Sequence, residues 1–169
     1  GQILARWRFN SNLGIEANCQ GTTTVFCLTD ADCPKGDYCL SDKAKLTRDT
    51  RRLADLVEGW EAIDRYREAR EYYPKLASGS YLSGRTVSVW PSWQQTVGLE
   101  LGLSMPLDPL NGLGSCPDND PVTCWNENTK EFADADPTDP NLNLPPQSHA
   151  YVYSVTPDGL NVIFCGPME

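Results

Sequence analysis

Cysteine offers the clearest chemistry in this sequence. The seven disulfide candidates are Cys19, Cys27, Cys33, Cys39, Cys116, Cys124 and Cys165. The first four are separated by 7, 5 and 5 residues and stand among glycine and proline, so this segment has too little apolar content to hold a fold without cross-links. Because the paired C-x2-C ligands of a zinc site are missing, the spacing predicts disulfides rather than a metal. Four cysteines allow three pairings, and the spacing does not select one of them.

The later cysteines predict one further local bridge. Cys116 and Cys124 delimit a nine-residue ring, so we expect a disulfide between them. The total is odd, and Cys165, near the end of the chain, is the cysteine predicted either to pair with a distant cysteine or to be left single. Disulfides persist in oxidising compartments, so we expect the chain to be extracellular, at the cell surface or periplasmic.

Carboxylates are dense in the loop-like residues 112–148. The candidate calcium ligands are Asp118, Asp120, Asp134, Asp136 and Asp139. Calcium takes six to eight oxygen ligands, and an irregular loop can supply side-chain and carbonyl oxygens together. No EF-hand spacing occurs, so two interpretations stay open: a bound calcium ion, or a solvated acidic loop without a metal.

Three tryptophans form the second candidate binding feature. Trp90 and Trp93 flank Pro91 and Ser92, and Trp125 follows in the acidic segment. Paired aromatic rings suit the faces of sugars, which would make these residues a ligand-stacking platform. The competing interpretation is that the same rings cover the long helix described below, because large aromatic side chains dominate protein cores.

Residues suited to catalysis are sparse. The single histidine, His149, follows a Pro-Pro loop, and the sequence contains neither a G-x-S-x-G nucleophile motif nor a phosphate-binding loop. Glycoside hydrolysis requires two carboxylates at a fixed separation. The clustered carboxylates here lie in proline-rich loops that fix no such separation. We therefore expect a protein that is not an enzyme.

The distribution of charge restricts the partners. Residues 1–75 contain 12 Lys or Arg and 12 Asp or Glu, whereas residues 76–169 contain 2 and 11, so the formal net charge of −9 comes from the second part. An acidic surface repels phosphates, which argues against nucleic acid and anionic membranes as partners. No run of about 18 apolar residues occurs, so we expect this sequence to make no membrane contact.

These candidate residues must be positioned by secondary structure, and a helix over residues 42–73 is the strongest prediction. Its apolar residues recur at helical spacing and predict one buried stripe: Leu53, Leu56, Val57, Trp60 and Ile63. Ser41 is suited to cap the start of the helix, and Pro74 cannot continue its hydrogen bonds. Gly59 interrupts the pattern, which suggests that another backbone approaches closely there.

The remaining elements predict an α+β fold. Residues 86–90 alternate like a strand, and Ser92 is suited to cap a short helix that runs to about Leu101. The chain ends in a hairpin, with Tyr151, Tyr153 and Val155 on one side and a Pro-Asp-Gly turn before residues 160–165. The fold class is therefore a long helix packed on a small antiparallel β-sheet, with disulfide-pinned loops.

The order of several short motifs resembles a known family. The motif residues are Arg48, Asp49, Arg52, Asp55 and Leu56, then Tyr72, Tyr73 and Pro74, then Gly79, Ser80 and Tyr81, and finally Met105 to Asn111. Together they resemble the soluble part of type IV pilins and type II secretion pseudopilins, over roughly residues 42–165. The earlier segment CLTDADCPKGDYCL is similar to stretches of small extracellular disulfide-rich modules.

This resemblance implies a pilin-like domain over residues 42–169, preceded by an extended and cysteine-rich segment over residues 1–41. It implies an extracellular structural subunit of a filament or secretion apparatus, with other pilin-like subunits as partners. It also implies calcium as the cofactor, because pseudopilins carry a calcium-stabilised acidic loop. The alternative function is a cell-surface adhesin or carbohydrate-binding module that binds surface glycans through exposed tryptophans. This sequence does not include the family's apolar first helix, which leaves two interpretations open: the helix was removed upstream, or the pilin-like domain serves in another context. The cysteine segment lies where that helix would run into the soluble one.

Overall fold

The structure, a computed structural model, describes residues 14–76, 81–114, 120, 123–132 and 144–169. Contacts divide the chain into two compact units, Gly1–Arg51 with Glu169, and Arg52–Met168. The division falls within the long helix, whereas the sequence led us to place it at the start of that helix. Each unit is described below by itself.

The first unit is built around cysteines. Strand β1 (Ala17–Asn18) pairs antiparallel with β2 (Phe26–Cys27), and a 3-10 helix (Asp30–Asp32) follows. Its buried cluster consists of Cys19, Cys27, Cys39 and Ala44. Since three of these four residues are cysteines, the cross-links themselves form most of the interior.

The long helix α1 spans Asp42–Arg70 and begins where the sequence predicted. Ser41 Oγ accepts a hydrogen bond from the Ala44 backbone N–H at 3.1 Å, which confirms the predicted cap. The helix ends three residues before the predicted position, because Glu71 takes a left-handed conformation with φ of 65°. A residue in that conformation terminates the helical hydrogen-bond pattern.

A three-stranded antiparallel sheet organises the second unit. Its order is β3 (Arg85–Val87), β6 (Val152–Val155) and β7 (Val162–Cys165), with β6 in the centre. The predicted closing hairpin is therefore confirmed, and Gly159 supplies the turn with φ of 77°. A two-stranded sheet of β4 (Trp125–Asn126) and β5 (Glu131–Phe132) lies elsewhere in the same unit.

The segment between β3 and the acidic loop is helical. It contains a π-helix, Trp93–Gly98, followed by the short helix α2, Leu99–Leu101. The predicted helix is thus present, but the predicted cap is wrong. Ser92 makes no side-chain capping bond, and its Oγ instead lies 2.7 Å from Thr86 Oγ1 on strand β3.

Both faces of the central strand are covered. Tyr151, Tyr153 and Val155 belong to a cluster with Ile63 of α1, together with Trp93, Val97, Met105 and Phe164. Val152 belongs to a second cluster, which also contains Val87, Trp90, Trp125 and Phe132. The sheet therefore carries two apolar layers, and the helix covers only one of them.

The buried face of α1 differs from the predicted stripe. Ile63 is fully buried and Leu56 and Trp60 pack against the same cluster, but Leu53 and Val57 are 56% and 59% exposed. Arg52 is fully buried instead. Since successive helical residues turn by about 100°, a face centred on Arg52 directs Leu53 away from the sheet.

Gly59 is needed for close packing, although a side chain and not a backbone is its neighbour. A Cβ at this position would lie 2.4 Å from Cε1 of Phe164, well inside contact distance. Phe164 also meets Trp60 edge to face at 6.1 Å. The glycine therefore lets the aromatic ring of β7 reach the helix backbone.

Candidate functional site

Among the described residues of the second unit, a polar network is centred on a buried ion pair. Arg52 Nε donates to Asp108 Oδ2 at 2.7 Å, and Arg52 Nη2 donates to Asp108 Oδ1 at 3.2 Å. Both side chains have no exposed surface. Because a guanidinium only donates, Nδ1 of His149, 3.3 Å from Nη2, must act as an acceptor.

Asp108 also fixes the turn that follows it. Its Oδ1 accepts hydrogen bonds from the backbone N–H groups of Leu110 at 2.9 Å and Asn111 at 3.4 Å. Asn111, with φ of 42°, accepts a hydrogen bond from Ser88 Oγ at 2.6 Å. Ser88 Oγ accepts in turn from the backbone N–H of Tyr151 at 2.9 Å. One carboxylate thus connects the helix, the 105–111 segment and the sheet.

The π-helix holds the start of the same segment. Gln94 donates through Nε2 to the Met105 carbonyl at 2.7 Å and accepts from the Met105 N–H at 3.0 Å. Trp93 Nε1 donates to the Pro106 carbonyl at 2.9 Å. A π-helix places its side chains at an unusual spacing, and here that spacing satisfies a backbone that forms no strand or helix of its own.

Two tyrosines attach the sheet to the helix and to the segment that follows it. Tyr151 Oη donates to Asp55 Oδ2 at 2.8 Å, and Tyr153 Oη donates to the Pro74 carbonyl at 2.7 Å. Burial raises the pKa of Tyr151 well above its usual range, and the hydrogen bond to Asp55 adds to this effect. Burial also raises the pKa of Tyr153. Both hydroxyl groups therefore stay protonated as donors.

This arrangement is suited to holding elements together. The charged atoms of Arg52 and Asp108 are fully buried, and their partners are each other, backbone groups and the ring of His149. Truncating one partner of such a pair would leave the other charge buried without compensation, which is strongly destabilising. We therefore interpret the network around Arg52 and Asp108 as a structural centre.

The first unit has its own guanidinium centre. Arg48 is 2% exposed, and its Nη1 donates to Asp30 Oδ1 at 2.6 Å. Its Nε donates to Glu169 Oε2 at 2.7 Å, and both terminal nitrogens donate to the Cys39 carbonyl at 3.2 Å. The ring of Tyr38 lies 5.3 Å from the guanidinium carbon. Arg48 thereby ties the start of α1 to the cysteine segment.

The disulfides confirm the sequence prediction and choose among the three pairings. Cys19 pairs with Cys33, and Cys27 pairs with Cys39, so the two loops interleave. Cys124 is also disulfide-bonded, whereas Cys116 lies outside the described residues. Cys165 ends β7, belongs to neither described bridge, and packs against the cluster that contains Trp90.

Aspartates secure the loops between these cysteines. Asp37 accepts hydrogen bonds from the backbone N–H groups of Gly21 and Tyr38, each at 2.8 Å, and the bond from Gly21 chiefly lowers the pKa of Asp37. Asp32 accepts from the N–H groups of Leu28 and Thr29, and these bonds lower the pKa of Asp32. The acidic character of this segment therefore serves its local fold.

The tryptophans predicted to stack on a ligand are in the core. Trp90, Trp93 and Trp125 are 2%, 0% and 4% exposed. Trp90 and Trp125 meet edge to face at 5.2 Å, and Phe132 stacks on Trp90 at 5.3 Å. A sugar needs an exposed ring face, so these positions contradict an exposed stacking platform. The competing interpretation holds for Trp93, which shares a cluster with Ile63 of α1, whereas Trp90 and Trp125 lie in the cluster that the helix does not cover.

Four of the five predicted calcium ligands lie outside the described residues. Asp118, Asp134, Asp136 and Asp139 fall outside the described residues, and the side chain of Asp120 accepts from the Thr123 N–H at 3.4 Å. Nearby, Glu127 accepts from Trp125 Nε1 at 3.0 Å and pairs with Lys130. Calcium at this loop stays a prediction.

The sequence interpretation missed Arg52, Asp108 and His149 as members of one centre. A signal was present, because Ala44, Arg48, Arg52 and Leu56 recur at intervals of four and continue to Ile63. An arginine within an otherwise apolar helical stripe indicates that it is buried against an acidic residue from another part of the chain. Its partner Asp108 is 56 residues away, which no local pattern reveals.

Comparisons with known proteins identify no family for this chain. No protein-family profile matches the sequence, and neither a curated protein nor a solved structure matches it. None of the helices in the described part of the chain combines the length and the apolar character that a membrane span requires. The class defined by the fold alone is an α+β protein with one long helix, small antiparallel sheets and disulfides, and the disulfides indicate an oxidising compartment.

Proposed function

We propose that the chain is an extracellular structural subunit of a pilin-like or pseudopilin-like filament or secretion apparatus. The observation that carries the proposal is the ion pair between Arg52 and Asp108. Arg52 belongs to the first motif of the resemblance and Asp108 to the last. Motif residues that hold a helix, a turn and a sheet in one arrangement are expected of a structural scaffold rather than of a catalytic site.

The other motif residues support the same interpretation. Asp55 accepts from Tyr151, and the carbonyl of Pro74 accepts from Tyr153, so the helix and the segment after it are both bonded to residues 151–153 of the sheet region. The exposed face of α1 carries Leu53 and Val57. Apolar residues one turn apart on a helix are a suitable contact surface for a neighbouring subunit.

The first test concerns the gene. If the proposal is correct, the sequence upstream of Gly1 encodes a cleavable leader and an apolar helix. A large multidomain ectodomain at that position would contradict the proposal, whatever the fold of this part.

The second test concerns assembly of the full-length product. The double variant L53E/V57E, in which both exposed apolar side chains of α1 become charged, should lose sedimentable filaments seen by electron microscopy. The matched control Leu99→Glu changes a residue that is 76% exposed but lies outside α1, and it should assemble normally. If both variants assemble equally well, the face with Leu53 and Val57 is not the contact surface between subunits. If the wild-type product stays monomeric, the proposed filament function is contradicted.

A further inference from the structure

We propose that reduction converts the cysteine cluster of the first unit into a tetrathiolate site for a soft divalent cation of the Zn²⁺ class, formed by Cys19, Cys27, Cys33 and Cys39. The observation behind this proposal is the crowding of sulfur atoms from two different disulfides. The sulfurs of Cys19, Cys27 and Cys33 all lie within 4.8 Å of one another, and Cys39 is bonded to Cys27.

The distances suit a tetrahedral thiolate site. Zinc binds thiolates at about 2.3 Å, which places the sulfurs of a tetrahedral site about 3.8 Å apart. The three sulfurs are already confined to that scale by two separate loops. These three sulfurs can therefore share one centre, and Cys39, the bonded partner of Cys27, supplies the fourth ligand as the metal replaces the two cross-links. Thiolates select soft cations over calcium and magnesium.

The surroundings favour thiolates once the disulfides are opened. The backbone N–H of Ser41, at the start of α1, donates to Cys39 Sγ at 3.5 Å. Arg48 places a buried positive charge on the carbonyl of Cys39 at 3.2 Å. A helix N-terminus and a neighbouring cation both stabilise a thiolate, and N–H groups directed at sulfur orient such ligands.

A water-soluble phosphine supplies the electrons that open the two disulfides. Each disulfide accepts two electrons from one phosphine, which becomes a phosphine oxide with an oxygen from water, and two thiols form. The cation then binds four thiolates and releases four protons. Burial restricts access to Cys19, Cys27 and Cys39, whereas Cys33 is only partly buried, so reduction should start at the bridge between Cys19 and Cys33.

Cobalt(II) is the probe for the test, because its spectrum reports both geometry and thiolate ligation. The whole chain is reduced anaerobically with the phosphine, freed of reductant and titrated with Co²⁺. We expect one equivalent to bind with the intense bands of a tetrahedral thiolate complex, and Zn²⁺ to abolish these bands by displacement. The oxidised protein should give only the weak spectrum of hydrated cobalt.

Variants locate the site. Cys33→Ser should lower the affinity for cobalt at least tenfold and weaken the thiolate bands. Cys165→Ser and Cys124→Ser, which alter cysteines outside the cluster, should leave the titration unchanged. Hydrogen exchange over residues 17–39 gives a second readout, since the metal should restore protection that reduction removes.

Three spectroscopic outcomes would overturn the proposal. These are octahedral cobalt only, undiminished thiolate bands in Cys33→Ser, and loss of the bands in Cys165→Ser or Cys124→Ser. Cobalt binding without renewed protection of residues 17–39 would also overturn the proposal, because the thiols would then bind the metal while the segment stays unfolded.

Discussion

Arg48 and Arg52 are one helical turn apart and are both buried, yet the two units around them are stabilised in different ways. Arg48 pairs with Asp30 and Glu169, whose side chains are 41% and 8% exposed. Arg52 pairs with Asp108, which is fully buried. The interior around Arg48 consists mainly of cystine, whereas the interior around Arg52 consists of aromatic and aliphatic side chains.

The difference follows from the composition of the two segments. A short chain rich in glycine, proline and polar residues cannot bury enough apolar surface to be stable. Cross-links that restrict its unfolded state therefore provide most of the stabilisation. The second unit has two apolar clusters and can hold a fully desolvated ion pair in place. The same residue type therefore contributes differently in the two units, and four experiments separate these contributions.

Removing the guanidinium of the second unit should have the largest effect. Arg52→Met leaves the Asp108 carboxylate buried and unpaired, so the free energy of unfolding should fall by about 3–5 kcal/mol. Urea denaturation measures this loss. The matched control Arg65→Met removes an exposed arginine 3.8 Å from Glu61 and should cost less than about 1 kcal/mol. Similar losses for both variants would show that the buried pair has no special role.

Removing one disulfide tests the first unit. The double variant C27S/C39S should destabilise it by about 2–4 kcal/mol, because the unfolded segment gains conformational freedom. Hydrogen exchange should show the loss over residues 17–39 and unchanged protection over residues 152–165. Arg52→Met should give the reverse pattern, so the two variants serve as controls for each other. A uniform loss in either variant would contradict the assignment of separate means of stabilisation.

These two centres also show what the sequence could and could not predict. The start of α1, its cap at Ser41 and the closing hairpin depend on neighbouring residues, so local patterns located them. The presence of disulfides followed from cysteine spacing, but their pairing required the arrangement of the loops.

The orientation of α1 depends on distant partners. Leu53 and Val57 fit a helical stripe as well as Leu56 does, and only the position of Asp108 and Phe164 directs Arg52 and Gly59 inward. For the same reason the sequence identified the tryptophans as a notable group but left two interpretations of them open. Their burial is decided by strands that are distant in the sequence.

A smaller effect is expected where α1 approaches β7. In Gly59→Ala the added methyl group collides with the ring of Phe164, which costs about 1–3 kcal/mol, while alanine's helix propensity offsets about 1 kcal/mol of this. The net loss of unfolding free energy should therefore be at most about 2 kcal/mol. Chemical denaturation of a double-mutant cycle with Phe164→Leu measures the coupling. In the Phe164→Leu background, which lacks the ring, Gly59→Ala should be neutral or stabilising. If the losses of unfolding free energy in the two single variants simply add in the double variant, the contact is contradicted.

The smallest effect concerns acid and the partly buried carboxylate of Asp37 in the first unit. Its folded pKa is lowered, chiefly by the Gly21 N–H, so its stabilising contribution is fully present above the unfolded pKa of about 3.9 and is lost as the pH falls through the folded value. Protection of residues 17–39 should thus be constant from neutral pH to about pH 4 and decrease below it. Asp37→Asn should weaken that decrease, as followed by amide exchange across the acid range. Glu58→Gln, on the exposed part of α1 in the second unit, is the matched control and should leave it unchanged. An identical acid transition in Asp37→Asn would mean that the Asp37 carboxylate does not contribute to the acid sensitivity of the first unit.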